Sequence, residues 1–242
     1  MGDQLMAFDE DWSTALCIAA HPDDLEYGTA AAVHRWIEQG KTVTYALVTR
    51  GEAGIDGMAP AEAGSVREAE EVAGAAEVGV DVVDFLDGFT DGTVEYGLAL
   101  RRALAREIRR RQPDVVITGT HHERFAGGGT NQADHRAVGL AVIDACADAG
   151  NRWIFPDLIK EGFEPWGGVR RIGLAASPEA THFVDVAGHF HPAVRSLEAH
   201  THYLEGLGDS YPPPRDLLNM ILGGGGQRAG VEHALLLEVF ER

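Results

Sequence analysis

One histidine and two adjacent carboxylates stand close together in Ala19-Ala20-His21-Pro22-Asp23-Asp24-Leu25-Glu26. His21 and Asp24 are three apart, so both can point into one concavity, while Asp23 points elsewhere and stays nearby. Two unpaired carboxylates this close repel, which pushes one pKa up. A divalent cation relieves that strain. A neutral imidazole and a carboxylate, joined by a third protein ligand and a water, form the catalytic zinc arrangement. The spare carboxylate can then take the proton from the metal-bound water. A structural role competes with this chemistry: Asp23 or Asp24 can cap a helix, with Pro22 stiffening the turn.

The elements that position these residues follow from periodicity. Ala15 to Ile18 reads as a buried strand. A helix with Val33, Trp36 and Ile37 inward comes next, and Gly40 is placed to stop it. The triad of side chains therefore sits in a strand-to-helix turn, where open α/β sheets build their sites. Thr42 to Thr49 is a second strand, and the Gly- and Ala-rich stretch from Arg50 to Ala63 a loop on the same rim. Ser65 and Glu68 predict a capping box, followed by an apolar stripe of Val66, Ala69, Val72, Ala73 and Ala76. Val80 to Leu86 is a third strand, and a loop runs from Asp87 to Gly92. A helix from about Gly97 to Arg111 carries Leu100, Leu104 and Ile108 on one face, and Asp114 to Thr118 is a fourth strand. The alternation implies a mostly parallel sheet with helices on both faces.

After the fourth strand, His121-His122-Glu123 leads through three glycines to Gln132-Ala133-Asp134-His135, which opens a helix with Val138, Ala141, Val142 and Ala145 inward. If this strand neighbours the first, His135 faces the His21/Asp24 turn and is the third ligand. In the second half, Arg171 to Leu174 and His182 to Val186 read as strands, His189 to Gly206 as one helix, Gly223 to Gly226 as a loop or lid, and His233 to Phe240 as a last strand. Residues 1–12 read as a frayed terminus. The whole chain, 1–242, is expected to be one domain, without internal repeat or linker.

Composition narrows the function. The formal charge of −18 argues against nucleic acid and against an anionic membrane. No apolar run approaches the ~20 residues of a membrane helix. Met1 to Asp11 is acidic and has no basic leader segment, and the two cysteines, Cys17 and Cys146, fall in a strand and a helix, so both are expected to be buried and reduced. These features predict a cytoplasmic protein. Homo-oligomerisation is left open.

The Ala-His-Pro-Asp-Asp-Leu-Glu run resembles the signature of the LmbE/PIG-L family of zinc-dependent N-deacetylases, which act on N-acetylglucosaminyl-inositol and its relatives. The resemblance extends through Thr49-Arg50-Gly51-Glu52, Arg67-Glu68 and Asp134-His135, covering the first 150 residues or so. It implies a Rossmann-like α/β fold and hydrolysis of an N-acyl, chiefly N-acetyl, amide on an amino sugar or glycoconjugate. Zn2+ is then held by His21, Asp24 and His135, with Asp23 as general base; other divalent transition metals suit the same ligands. The family usually carries a histidine where this chain has Gln132, which can donate a hydrogen bond but cannot move a proton. His121 or His122 could replace it. His200 lies where the family often has a histidine in its C-terminal helix and could enter the site. Arg67 matches a sugar-binding arginine, Arg50 is a second candidate substrate contact, and Asp91 could bond a sugar hydroxyl.

Two other functions fit less well. One is an amidase on a larger thiol–sugar or natural-product conjugate, suggested by the glycine-rich rim. The other is an accessory protein that binds metal without catalysis, which the retention of Asp23 disfavours. A dinucleotide site is disfavoured because no Gly-x-Gly-x-x-Gly follows the first strand.

Overall fold

Residues 5–12 depart from the frayed terminus that sequence suggests, and residues 1–4 of that expectation lie outside the described residues. A computed structural model describes residues 5–208 and 210–242. Strand β1 (Met6–Ala7) pairs in parallel with a distant strand at the sheet edge, and Phe8 and Trp12 are buried in the core. Glu10 fastens the segment by accepting hydrogen bonds from Arg35, Trp36 and Gln39. Two aromatics spaced four apart in a polar stretch carry no period that would reveal a strand.

Strand β2 (Thr14–Ala19) leads into helix α1 (Thr29–Glu38), which Gly40 ends in the left-handed region. Strand β3 (Thr42–Leu47), helix α2 (Pro60–Glu77), strand β4 (Val83–Phe85), helix α3 (Leu98–Arg111), strand β5 (Val115–Gly119) and helix α4 (Ala133–Gly150) continue the alternation. The remainder comprises α5 (Asp157–Lys160), β6 (Arg171–Ala175), β7 (His182–Asp185), α6 (Phe190–Glu198), α7 (Thr201–Leu207), α8 (Pro214–Ala229) and β8 (Ala234–Glu241).

Among the described residues, eight strands form one sheet in the order β1-β7-β8-β6-β5-β2-β3-β4. Only β8 runs antiparallel to its neighbours, β6 and β7. Side chains alternate across the sheet as a period of two requires. From β2, Leu16 and Ile18 enter the core beneath α3 and α4, and Ala15, Cys17 and Ala19 enter the one beneath α1, α6 and α8. Both cysteines are buried and free. Among the described residues, no helix is long and apolar enough to cross a membrane.

Helix α2 differs most from its expected form. It starts at Pro60, with Ala59 at the N-cap position, so Ser65 lies inside the helix and no Ser65/Glu68 capping box forms. Val66, Ala69, Val72, Ala73 and Ala76 do not form the inward stripe, and Val72 is exposed. The buried face instead carries Arg67, Glu70, Glu71, Gly74 and Ala75. The helix gives its polar side to the interior because the polar turn from His21 to Glu26 lies against it.

The expected single helix from His189 to Gly206 is two, α6 and α7, interrupted at Ala199 and His200. The tetraglycine is no lid: Gly223 to Gly226 lie inside α8. A Cβ on Gly225 would come 2.2 Å from the carbonyl oxygen of Ala234, and one on Gly226 2.4 Å from that of Glu232. The glycines allow α8 to lie directly on β8. Gly224 faces open space. Gly225→Ala is therefore expected to lower stability by about 1–3 kcal/mol through backbone overlap. Gly224→Ala should raise it by about 0.5–1 kcal/mol, since alanine favours a helix. Urea unfolding of the two variants side by side checks both signs.

Candidate metal centre

Adjacency of β2 and β5 decides whether the two halves of the motif meet. These strands pair in parallel, with Ala15 opposite Val115 and Ile18 opposite Thr118. The turn after β2 and the start of α4 after β5 therefore share one rim. His21 Nδ1 lies 3.2 Å from His135 Nε2, and His135 Nε2 lies 3.0 Å from Asp24 Oδ1. Ligand atoms of all three side chains fall within 4.8 Å of one another.

The backbone fixes Asp24. Its Oδ2 accepts hydrogen bonds from the amides of Ala20 (3.1 Å) and His21 (2.9 Å), which leaves Oδ1 facing the histidines. The helix-capping alternative is not realised, because α1 starts after Gly28 without a side-chain cap.

The outer nitrogens of both imidazoles have partners, and these set the tautomers. Asn131 spends its side-chain amide on the carbonyls of Thr120 and His122, so its Oδ1 faces His135 Nδ1 at 3.0 Å and must accept from it. His21 Nε2 lies 3.0 Å from Asp91 Oδ1 and 3.2 Å from Asp134 Oδ2 and donates to them. His21 Nδ1 and His135 Nε2 are thereby left as lone pairs directed at each other beside a carboxylate. That arrangement is repulsive until a positive charge sits between them, and it matches the donor set of a divalent transition ion. The surroundings also favour a positive charge at this point. Burial disfavours a charged His21, yet hydrogen bonds to Asp134, Asp24 and Asp91 outweigh it and push the group up to about 12. Burial likewise opposes the ionised form of Asp24, but the neighbouring His135 and His21 hold it far below the usual carboxylate range.

The stretch that carries this geometry, residues 16–146, matches the family model described as PIG-L: GlcNAc-PI de-N-acetylase. The chain belongs to the PIG-L family. A 1D-myo-inositol 2-acetamido-2-deoxy-alpha-D-glucopyranoside deacetylase from Geodermatophilus obscurus is 27% identical over 175 residues. That match takes in 59% of this chain and 56% of the relative, so the chain spans little more than half the length of that curated protein. In structure, the chain resembles an N,N'-diacetylchitobiose deacetylase from Pyrococcus horikoshii, with a TM-score of 0.85, 21% identity, and 96% and 85% of the two chains covered. It also resembles GalB, a 4-carboxy-2-hydroxymuconate hydratase from Pseudomonas putida, with a TM-score of 0.77, 18% identity, and 95% and 97% coverage. At these identities the likeness establishes the shared fold.

The signature's first carboxylate, Asp23, adjoins Asp24 at a backbone φ of +86°. Few residues other than glycine adopt that conformation without restraint. Helix α2 supplies the restraint. Arg67, 2% exposed, donates to Asp23 Oδ1 at 2.7 Å and to the carbonyls of Pro22 and Gly51. Glu71 accepts the Asp23 amide at 3.0 Å. Burial pushes the Asp23 carboxyl up to about 6 against the pull of Arg67, which brings it toward the range of a general base at neutral pH. The Tyr203 ring stacks on the Arg67 guanidinium at 4.0 Å.

Several expected roles change. Arg67 is turned inward onto the signature turn and its guanidinium is buried, so it is placed to hold Asp23 rather than to face a ligand. Arg50 is tied to Glu68, the Leu86 carbonyl and Asp87. Asp91 bonds His21 rather than pointing into open space. His200 is wholly buried among Glu26 and Glu71 and does not open onto the rim. Gln132 is exposed at the N-cap position of α4, and its side chain bonds none of the described site residues. His122 pairs with Glu238 at 3.0 Å and stacks against His121, so neither stands with His21, Asp24 and His135. Asn131 was not singled out by sequence. Its only signal was its place four residues before His135, one helical turn away.

Proposed function

We propose that this chain is a metal-dependent hydrolase that removes an acyl group, chiefly acetyl, from the nitrogen of an amino sugar or glycoconjugate. The observation that carries this reading is the convergence of His21 Nδ1, Asp24 Oδ1 and His135 Nε2 beside the restrained carboxylate of Asp23. The names of the family and of the inositol-glycoside relative support the substrate class.

His21, Asp24 and His135 would hold the metal, with zinc the ion best suited to two neutral imidazoles and a carboxylate. When bound, such an ion polarises an acyl carbonyl and makes water acidic near neutral pH. The protein's own groups do the proton chemistry. Arg67 occupies Asp23 Oδ1, which leaves Oδ2 to take the proton of the attacking water and return it to the departing amine. Asp91 and Asp134 keep a proton on His21 Nε2, and Asn131 keeps one on His135 Nδ1. Both rings thus present their free nitrogens to the same point.

Acetate release tests the proposal. Protein reconstituted with Zn2+ would be assayed on N-acetylglucosaminyl-inositol, diacetylchitobiose and an N-acylated glycopeptide. Turnover on either sugar substrate, abolished by a chelator and restored by Zn2+, is expected. Turnover of the glycopeptide alone would move the assignment to large conjugates. Metal binding with no amide cleaved would overturn the hydrolase reading.

A further inference from the structure

Behind the Asp23 turn, the interior holds a group of polar atoms that the proposed reaction does not use. Glu26 at the end of the signature turn, Glu71 on α2 and His200 between α6 and α7 have no solvent exposure at all. His200 Nε2 lies 3.8 Å from Glu26 Oε2 and 3.8 Å from Glu71 Oε2. Among the described residues, Glu26 Oε2, Glu71 Oε1 and both nitrogens of His200 lack a hydrogen-bond partner. Tyr45 Oη, also buried without a partner, lies within electrostatic reach of both carboxylates. Native interiors leave few such atoms unsatisfied, and a cluster of them calls for an occupant.

Charge and size indicate which one. Two ionised carboxylates buried beside an imidazole are stabilised by a compensating positive charge. The Arg67 guanidinium, within electrostatic reach of His200, commits both terminal nitrogens to Asp23 and two carbonyls and leaves only Nε unpartnered. Ligand atoms 3.8 Å apart on two edges, all within 4.8 Å, surround a point about 2.2–2.5 Å from each, which is metal–ligand range. A point in their plane lies closer to each atom than the about 2.7–3.2 Å of a hydrogen-bonded water. Glycine at position 74 lets α2 pack closely beside the cluster. A Cβ on Gly74 would come 3.1 Å from His200 Nε2 and 2.8 Å from the Ser196 carbonyl oxygen.

We propose that Glu26, Glu71 and His200 bind a second divalent cation, buried beneath the signature turn and separate from the His21 site. The ion neutralises the two carboxylates. Because Glu71 Oε2 also accepts the Asp23 amide, it fixes the floor on which the strained turn rests. Mixed nitrogen and oxygen donors suit Zn2+ or Mn2+.

Metal content of the full-length chain tests this without an activity assay. Wild type, His135→Ala, Glu71→Gln and the double variant would be reconstituted with Zn2+ and, separately, Mn2+, dialysed, and analysed for metal per chain. Glutamine at 71 still accepts the Asp23 amide while removing the charge, and circular dichroism would verify folding. Two equivalents in wild type, one in each single variant and none in the double variant are expected with at least one of the ions. One equivalent in wild type, lost in His135→Ala and kept in Glu71→Gln, would overturn the second site. One equivalent lost only in Glu71→Gln would support it and overturn the His21 site instead. Anomalous scattering from wild-type crystals gives a check that needs no variant: no peak beside His200 refutes the proposal even if Glu71→Gln misfolds.

Discussion

Asp23→Asn is expected to lower kcat for amide hydrolysis by about 10²–10⁴-fold while the chain keeps its fold and its metal. Asparagine suits this test on physical grounds. It tolerates the left-handed backbone that Asp23 adopts at φ +86° better than most residues do. Its carbonyl can still accept the Arg67 hydrogen bond. It cannot take up a proton at the position of Oδ2. Any loss therefore reports proton transfer rather than collapse of the turn. Steady-state kinetics with metal analysis on the same preparation checks it. Unchanged kcat would remove Asp23 from the reaction. A parallel loss of metal would show that the carboxylate supports the His21 cluster instead.

Arg67→Ala is expected to unfold the chain more readily by about 3–5 kcal/mol, the cost of breaking a buried ion pair from one side. Asp23 would keep its burial and lose its counter-charge, and the carbonyls of Pro22 and Gly51 would lose their donor. Activity should fall with stability, because the signature turn loses the group that holds its carbonyl and its carboxylate together. Urea denaturation and kcat measured on the same variant check the two effects. Arg67→Lys restores one charge but not the spread of contacts, so an intermediate value of each is expected. An Arg67→Ala chain as stable as wild type, with only a raised KM, would return Arg67 to the substrate-contact role that the resemblance suggested.

The helix that carries Arg67 also shows how far the sequence can be read. Spacing of three and four marks a helix over α2, but it serves either face equally. Val66, Ala69, Val72, Ala73 and Ala76 present the more apolar stripe, so hydrophobicity alone turns the wrong side inward. The opposite face is buried because Arg67 and Glu71 bond the Pro22–Asp23 turn, a contact 44–48 residues away along the chain. The tetraglycine failed as a sequence signal for a similar reason. Glycine marks a loop by its freedom, yet in α8 it serves by its size, because the backbone of β8 and of the turn before it lies within 2.2–2.4 Å of where side chains would start.

By itself, the sequence determined the strand–turn–helix that holds His21, Asp23 and Asp24, the helix that begins near Asp134 and His135, and the alternation that makes a mostly parallel sheet. Those features are local, set by periodicity, turn chemistry and short spacing. Tertiary structure alone decided that β5 lies beside β2, so that His135 reaches His21. It also decided that Asp91 and Asn131 orient the two imidazoles, that Arg67 and Glu71 face inward, and that His200 closes a buried cluster with Glu26. Each of these depends on which surfaces meet across the sheet. That is settled by the summed packing of both cores, which no window of the sequence contains.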